Sequence, residues 1–79
     1  MDITPGPLAP WRQIYARLRE QIDSGELAPG DRLPSITDLS KGYGVALTTA
    51  RKALDRLKAD GLVVTSPMGT FVAPEDQRP

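Results

Sequence analysis

Gly44-Val45-Ala46-Leu47-Thr48-Thr49-Ala50-Arg51-Lys52-Ala53-Leu54-Asp55-Arg56-Leu57-Lys58-Ala59-Asp60-Gly61 is the stretch that decides the fold of this 79-residue chain. Its apolar residues recur at the i, i+3, i+4, i+7 spacing of one buried helical stripe, and they are Ala50, Ala53, Leu54 and Leu57. Gly61 follows the stripe, where helices commonly end at a left-handed glycine. The stretch therefore predicts a helix whose alanine-rich side lets another helix pack closely.

The outer face of this helix combines hydroxyls near its start with cations along its length. Its residues are Thr48, Thr49, Arg51, Lys52, Asp55, Arg56 and Lys58. A helix that enters the DNA major groove by its N-terminal end needs short hydrogen-bonding side chains at the tip and cations for phosphates and guanine edges. An ordinary amphipathic helix with a solvated charged face gives the same pattern, so the surrounding sequence has to decide between them.

Charge is unevenly distributed along the chain. The chain has ten basic residues (lysine and arginine) and ten acidic residues (aspartate and glutamate), so its net charge is zero. Residues 41–58 hold five basic side chains against Asp55 alone, a local charge of +4 that leaves −4 elsewhere. This concentration in one stretch, most of it on the decisive helix, favours a nucleic-acid-binding face, while the acidic remainder discourages unspecific binding.

Composition excludes several function classes. The chain has neither cysteine nor histidine, so it lacks a thiolate nucleophile, a disulfide framework, a Cys-type zinc site and the commonest general base. Met1 is followed by Asp2 rather than by basic residues and an apolar run, which disfavours a secretory signal, and no apolar run approaches the ~18 residues of a membrane span. We expect a cytoplasmic binding module, not an enzyme, with no cofactor and no metal.

The chain before the decisive helix predicts an arm and one further long helix. Residues 1–9 hold two prolines and a glycine without periodicity, which indicates a flexible arm. Pro10 suits the first turn of a helix that runs through Ser24 and ends at Gly25. Its apolar stripe is formed by Trp11, Ile14, Tyr15, Leu18 and Ile22.

A second helix follows a turn-rich connector, residues 27–34, in which Leu33 is a candidate core residue in a short strand. Ser35 and Asp38 have the spacing of a capping box, so this helix should run from Ile36 to about Lys41. Gly42-Tyr43-Gly44 should then break it. Two short helices joined by a glycine turn, the second with a polar and basic face, indicate a helix-turn-helix.

After Gly61 the period changes to that of strands. Residues 62–65 and 70–72 are rich in β-formers and flank Ser66-Pro67-Met68-Gly69, which fits a type I turn. The predicted fold is mainly α with a small β-hairpin, a winged helix-turn-helix of three helices plus a wing. The domain should span residues 10–73, with a tail or linker at 74–79.

At this point the chain resembles the N-terminal winged helix-turn-helix domain of GntR-family bacterial transcription regulators. The matching residues are Ile22-Asp23-Ser24-Gly25-Glu26-Leu27-Ala28-Pro29-Gly30-Asp31-Arg32-Leu33-Pro34-Ser35, Leu39, Gly44-Val45, Thr48-Thr49-Ala50-Arg51-Lys52-Ala53-Leu54, Leu57, Gly61-Leu62-Val63 and Gly69-Thr70-Phe71-Val72. The run Gly25–Ser35 together with Gly69–Val72 at the correct separation is specific to that family.

The resemblance implies that the third helix reads an operator in the major groove while the wing lies along the minor groove or backbone. The candidate DNA-binding residues are Ser35, Thr37, Leu47, Thr48, Thr49, Arg51, Lys52, Arg56, Gly69 and Thr70. We expect Arg51 to contribute most to binding, and the hydroxyl of Thr49 could alternatively cap the helix.

The chain departs from the family pattern at three places. Ile36-Thr37 replaces an acidic-arginine pair, Ala46-Leu47 replaces serine-arginine, and Pro67-Met68 replaces a glycine and a basic residue of the wing. We therefore expect an altered sequence preference and a lower affinity than in typical members.

Family members normally carry a C-terminal domain for effector binding and dimerisation. We expect this chain to be a monomer alone and to pair on double-stranded DNA, a palindromic operator, or through such a domain. The alternative function is a winged-helix module that binds another protein, which the apolar Leu47 at the tip favours. Enzyme activity is the weakest hypothesis, because the acidic residues are scattered.

Overall fold

Three helices and a hairpin make up the computed structural model, which describes residues 9–74 and 76. The elements are α1 (Pro10–Ser24), α2 (Ile36–Tyr43), α3 (Leu47–Ala59), β1 (Val63–Ser66) and β2 (Gly69–Val72). The predicted fold class is confirmed. Residues 1–8 of the predicted arm, and all of the predicted tail except residues 74 and 76, lie outside the described residues.

Helix α1 has the predicted bounds because local signals fix both of its ends. Pro10 occupies the first turn, where its missing N–H needs no partner, and Gly25 ends the helix with φ 86°. The stripe of Ile14, Leu18 and Ile22 is buried against α3. Trp11 and Tyr15 extend the stripe but are only partly buried at its margin.

Helix α2 begins as predicted and ends later than predicted. The Ser35 hydroxyl accepts a hydrogen bond from the Asp38 N–H at 3.0 Å, and the Asp38 carboxylate accepts from the Ser35 N–H at 3.3 Å, which completes the capping box. The expected break at Gly42-Tyr43-Gly44 is wrong at its first two residues, since the helix runs through Tyr43. Tyr43 is buried in the core, and only Gly44, with φ 68°, leaves the helix.

Helix α3 is central to the core and contacts both α1 and α2. Ala50 and Ala53 are fully buried, and their small side chains allow both neighbouring helices to approach. The helix ends in a Schellman motif: the N–H of Leu62 donates to the Leu57 carbonyl, and that of Gly61 to the Lys58 carbonyl, both at 3.0 Å. Leu62 therefore lies in the turn after α3 rather than in the strand predicted for it.

The hairpin pairs β1 with β2 in antiparallel register, with Ser66 opposite Gly69 across Pro67-Met68. Among the described residues only glycines have positive φ, which excludes type II, I′ and II′ turns at Pro67-Met68 and agrees with the predicted type I. The connector adds a bridged segment to β2, since the Leu33 N–H donates to the Thr70 carbonyl at 2.8 Å. Leu33 is buried there, as expected for a core residue in a short strand.

Candidate nucleic-acid interface

The N-terminal end of α3 projects from the turn that joins it to α2. The Ser40 hydroxyl of α2 donates to the Val45 carbonyl, and Gly44 takes the left-handed conformation. These two features hold the backbone of the turn between α2 and α3. The N-cap is Ala46, and no side chain of the described residues caps the helix. The alternative that Thr49 provides the cap is therefore wrong. An uncapped helix start exposes backbone N–H groups and partial positive charge, which suit a phosphate.

The first turn of α3 presents three chemically different side chains to solvent. Leu47 is 55% exposed, Thr48 is exposed, and the Arg51 side chain is 71% exposed. Leu47 and Arg51 are one turn apart and share a flank of the helix. An apolar group, a hydroxyl and a guanidinium are the groups that contact thymine methyls, base edges or phosphates, and guanine edges. Thr49 is half-buried beside them.

The Arg51 guanidinium has one acidic neighbour. Its Nε lies 3.9 Å from the Asp55 carboxylate, and both side chains are mostly exposed. Exposed i, i+4 pairs of this kind contribute only about 0.3–0.5 kcal/mol. Arg51 can therefore leave Asp55 for a DNA partner at small cost.

Lys52 and Arg56 lie on the flank of α3 that faces α1. The Lys52 ammonium is 4.9 Å from the centroid of the Trp11 ring, a cation–π distance. The Arg56 Nε lies 3.6 Å from an Asp60 carboxylate oxygen, and Asp60 also accepts a hydrogen bond from the Tyr15 hydroxyl. These contacts hold both cations beside α1 rather than at the tip, and their role as DNA contacts stays a prediction.

The two residues predicted on α2 lie at its exposed N-terminal end. Ser35 uses its hydroxyl oxygen and its backbone N–H in the capping box, so its O–H remains the group that can donate to a phosphate. Thr37 is exposed in the first turn. The contact of both residues with a partner that also binds the start of α3 stays a prediction.

The predicted wing residues begin β2. Gly69 and Thr70 are half-buried, since the connector lies beside them. Sequence reasoning missed one residue here, Arg32, whose Nε lies 2.9 Å from the position that a Cβ on Gly69 would take. The alternation of Arg32 with the buried Leu33 was the signal that could have placed its side chain outward.

Residues 9–74 and 76 contain no group of three acidic side chains placed to hold a metal ion, and none of their helices could cross a bilayer. Burial raises the pKa of the Tyr43 hydroxyl above its ordinary value. The exposed surface of α2, α3 and the hairpin is the candidate interface.

Comparison with known proteins agrees with this geometry. The family described as bacterial regulatory proteins, gntR family, matches residues 10–72. The mannosyl-D-glycerate transport/metabolism system repressor MngR of Escherichia coli (strain K12) is 42% identical over 66 residues, which are 82% of this chain and 28% of that protein. An uncharacterized HTH-type transcriptional regulator of the same organism, YdcR, is 39% identical over 82% of this chain and 14% of its own length. The chain thus spans less than a third of the length of these relatives.

Solved structures extend the similarity to the fold. YtrA from Sulfolobus acidocaldarius, a GntR-family transcription factor, superposes with a TM-score of 0.84 at 36% identity, over 89% of this chain and 74% of that one. The DNA-binding domain of AraR in complex with operator ORE1 superposes with a TM-score of 0.83 at 29% identity, over 92% and 98%. The matched family, these relatives and the shared winged helix-turn-helix lead to one conclusion. This chain belongs to the GntR family of bacterial transcription regulators, as a DNA-binding domain of that family.

Proposed function

We propose that this chain binds an operator by inserting the N-terminal end of α3 into the major groove, with the hairpin on the adjacent minor groove or backbone. The observation that carries the proposal is the exposed group of Leu47, Thr48 and Arg51 at an uncapped helix start. The similarity to a DNA-binding domain solved with its operators supports it.

Each group at the tip has a distinct role in this proposal. Arg51 donates two hydrogen bonds to one guanine, Leu47 packs on a thymine methyl, and Thr48 contacts a base edge or phosphate. The backbone N–H groups at the start of α3 and the α2 residues Ser35 and Thr37 fix the orientation on the phosphates. Specificity thus comes from the tip and positioning from its surroundings.

The assembly on DNA is a further part of the proposal. A single small module buries only about 600–1,000 Å² on DNA, so regulators of this kind bind as dimers on palindromic sites. The chain should be a monomer in free solution that pairs on DNA or through a C-terminal domain. Relatives named as repressors support a repressing role. A cytoplasmic location and the lack of enzyme activity are further parts of the proposal.

Selection from a random-sequence library, followed by fluorescence anisotropy, tests base reading. On the selected duplex, Arg51→Ala should weaken binding about 5- to 150-fold, the equivalent of about 1–3 kcal/mol, and should relax one base position. On a scrambled duplex the loss should be smaller. Arg17→Ala is the matched control, because this exposed α1 cation lies in a depression lined by Glu20 and Glu26. Equal losses on both duplexes would make Arg51 a phosphate contact.

The exposed apolar side chains of Leu47 and Met68 favour one alternative, a winged helix that binds a protein. That alternative predicts no selected sequence and no binding to duplex DNA even at low salt. The same library selection therefore separates the two functions. An enrichment that converges on one sequence would exclude a purely protein-binding module.

A further inference from the structure

The hairpin has no charge of its own. Residues 62–73 contain no lysine, arginine, aspartate or glutamate, and the two residues at its turn are Pro67 and Met68. Hydroxyl and backbone N–H groups can hydrogen-bond a phosphate, but a cation in addition releases condensed counterions and so increases the affinity. A cation at the wing therefore has to come from elsewhere in the fold.

Arg32 lies at the place where that cation is needed. It forms an isolated antiparallel bridge with Phe71 of β2, and its exposed side chain extends over Gly69 at the start of the same strand. A Cβ on Gly69 would be 2.9 Å from the Arg32 Nε and 3.4 Å from its Cζ. The guanidinium thus occupies the space that a side chain at position 69 would need.

The backbone around Arg32 is held on both sides. The Val72 N–H donates to the Asp31 carbonyl and the Leu33 N–H donates to the Thr70 carbonyl, each at 2.8 Å. The Asp31 carboxylate accepts a hydrogen bond from the Ala28 N–H, also at 2.8 Å, and so is not paired with the Arg32 guanidinium. Within residues 9–74 and 76, the ion pairs involve Arg19, Arg51 and Arg56, and Arg32 forms none.

We propose that Arg32 is the DNA-contacting cation of the wing, supplied by the α1–α2 connector, and that Gly69, whose φ of 135° itself favours glycine, also leaves the room in which this side chain crosses the hairpin. The inference rests on the proposed operator binding and adds a residue to it. Arg32 would neutralise a phosphate beside the wing, where the hairpin itself offers only backbone and hydroxyl groups. Because the connector holds the backbone of Arg32, only its side chain has to be ordered on binding.

The salt dependence of binding tests the contact. The probe is the duplex selected by the wild-type chain, with affinity measured by anisotropy over a series of salt concentrations. Arg32→Gln, which keeps much of the side-chain stem, should lower the logarithmic salt slope by about 0.9, one phosphate contact, and Arg32→Lys should keep it. Arg17→Ala is the control that removes a positive charge on α1 and should leave the slope unchanged.

Two outcomes would overturn the inference. An unchanged slope for Arg32→Gln would show that the guanidinium does not meet a phosphate. An equal reduction for Arg17→Ala would show that only the overall charge matters. If the wild-type chain itself selects no sequence and binds no duplex, the proposed function fails, which is a result distinct from either of these.

A double-mutant cycle tests the role of Gly69. Gly69→Ala introduces backbone strain at φ 135° that is independent of Arg32, and in addition a methyl group that collides with the Arg32 side chain. If Gly69 makes room for the DNA-contacting cation, Gly69→Ala should weaken binding several-fold more in the wild-type background than in the Arg32→Gln background. Equal losses in both backgrounds would refute the coupling. Thermal melts of all four proteins verify that each remains folded at the binding temperature.

Discussion

Adding the missing N-cap of α3 is a direct test of how this fold is stabilised. The chain contains its own template, because Ser35 caps α2 with φ −70° and ψ 166°, while Ala46 begins α3 with nearly the same backbone, φ −64° and ψ 154°. In Ala46→Ser, the new hydroxyl can accept from the Thr49 N–H, as the Ser35 hydroxyl does from the Asp38 N–H at 3.0 Å. No backbone movement is required.

The expected gain can be derived from this comparison. The Thr49 N–H now donates only to the Ala46 carbonyl at 3.1 Å, the tight i→i+3 contact of a helix start. Replacing alanine by serine at an N-cap stabilises by about 1 kcal/mol, and for a domain of this size that raises Tm by roughly 4–8 °C. The second half of a capping box is absent, since Thr49 stands where Asp38 stands in α2, so the gain should not exceed this range.

Thermal unfolding followed by circular dichroism measures the effect. Ala59→Ser is the matched control, because it makes the same chemical change at an exposed position at the other end of α3, where serine only lowers helix propensity. Ser35→Ala should lower Tm by about the amount that Ala46→Ser raises it. An Ala46→Ser protein that melts at or below the wild-type temperature would refute the assignment of Ala46 as an extended, uncapped N-cap.

Further predictions concern the tip, the core, the α1–α3 contact and the oligomeric state. Leu47→Ala should weaken operator binding several-fold, and replacing the contacted thymine by deoxyuridine should have no further effect in this variant; additive losses in anisotropy titrations would exclude methyl reading. Leu57→Ala deletes a fully buried side chain and should lower the free energy of unfolding, measured with urea, by about 2–5 kcal/mol. A smaller loss would show that neighbouring side chains move in to fill the cavity. Tyr15→Phe removes the hydroxyl that donates to Asp60 and accepts from Arg19, and should cost about 1 kcal/mol in the same assay, whereas an unchanged midpoint would show that these two hydrogen bonds add nothing. Sedimentation at micromolar concentration should give a monomer, and a stable free dimer would contradict the proposed pairing on DNA.

Local signals allowed much of the fold to be predicted from the sequence. Helix α1 has both of its predicted ends because Pro10 and Gly25 act within one turn of the backbone they control. The first residue of α2 was predicted correctly for the same reason, because the capping box of Ser35 and Asp38 acts within one turn. The outward position of Arg51 also followed from the sequence, because Arg51 lies off the apolar stripe of α3. The exposure of Leu47 did not, because Leu47 continues the spacing of that stripe.

The tertiary structure alone decided the features that depend on distant partners. Helix α2 continues through Gly42 because Tyr43 is buried in the core. The free energy gained by this burial depends on distant residues, so the glycines in the local sequence do not reveal it. Lys52 looked equivalent to Arg51 on a helical wheel, but the packing of α1 brings the Trp11 ring beneath its ammonium. Arg32 meets Gly69 only because the connector pairs with β2. Periodicity and caps act over a few residues and so can be derived from the sequence, whereas the neighbour of a surface cation is set by which elements pack together.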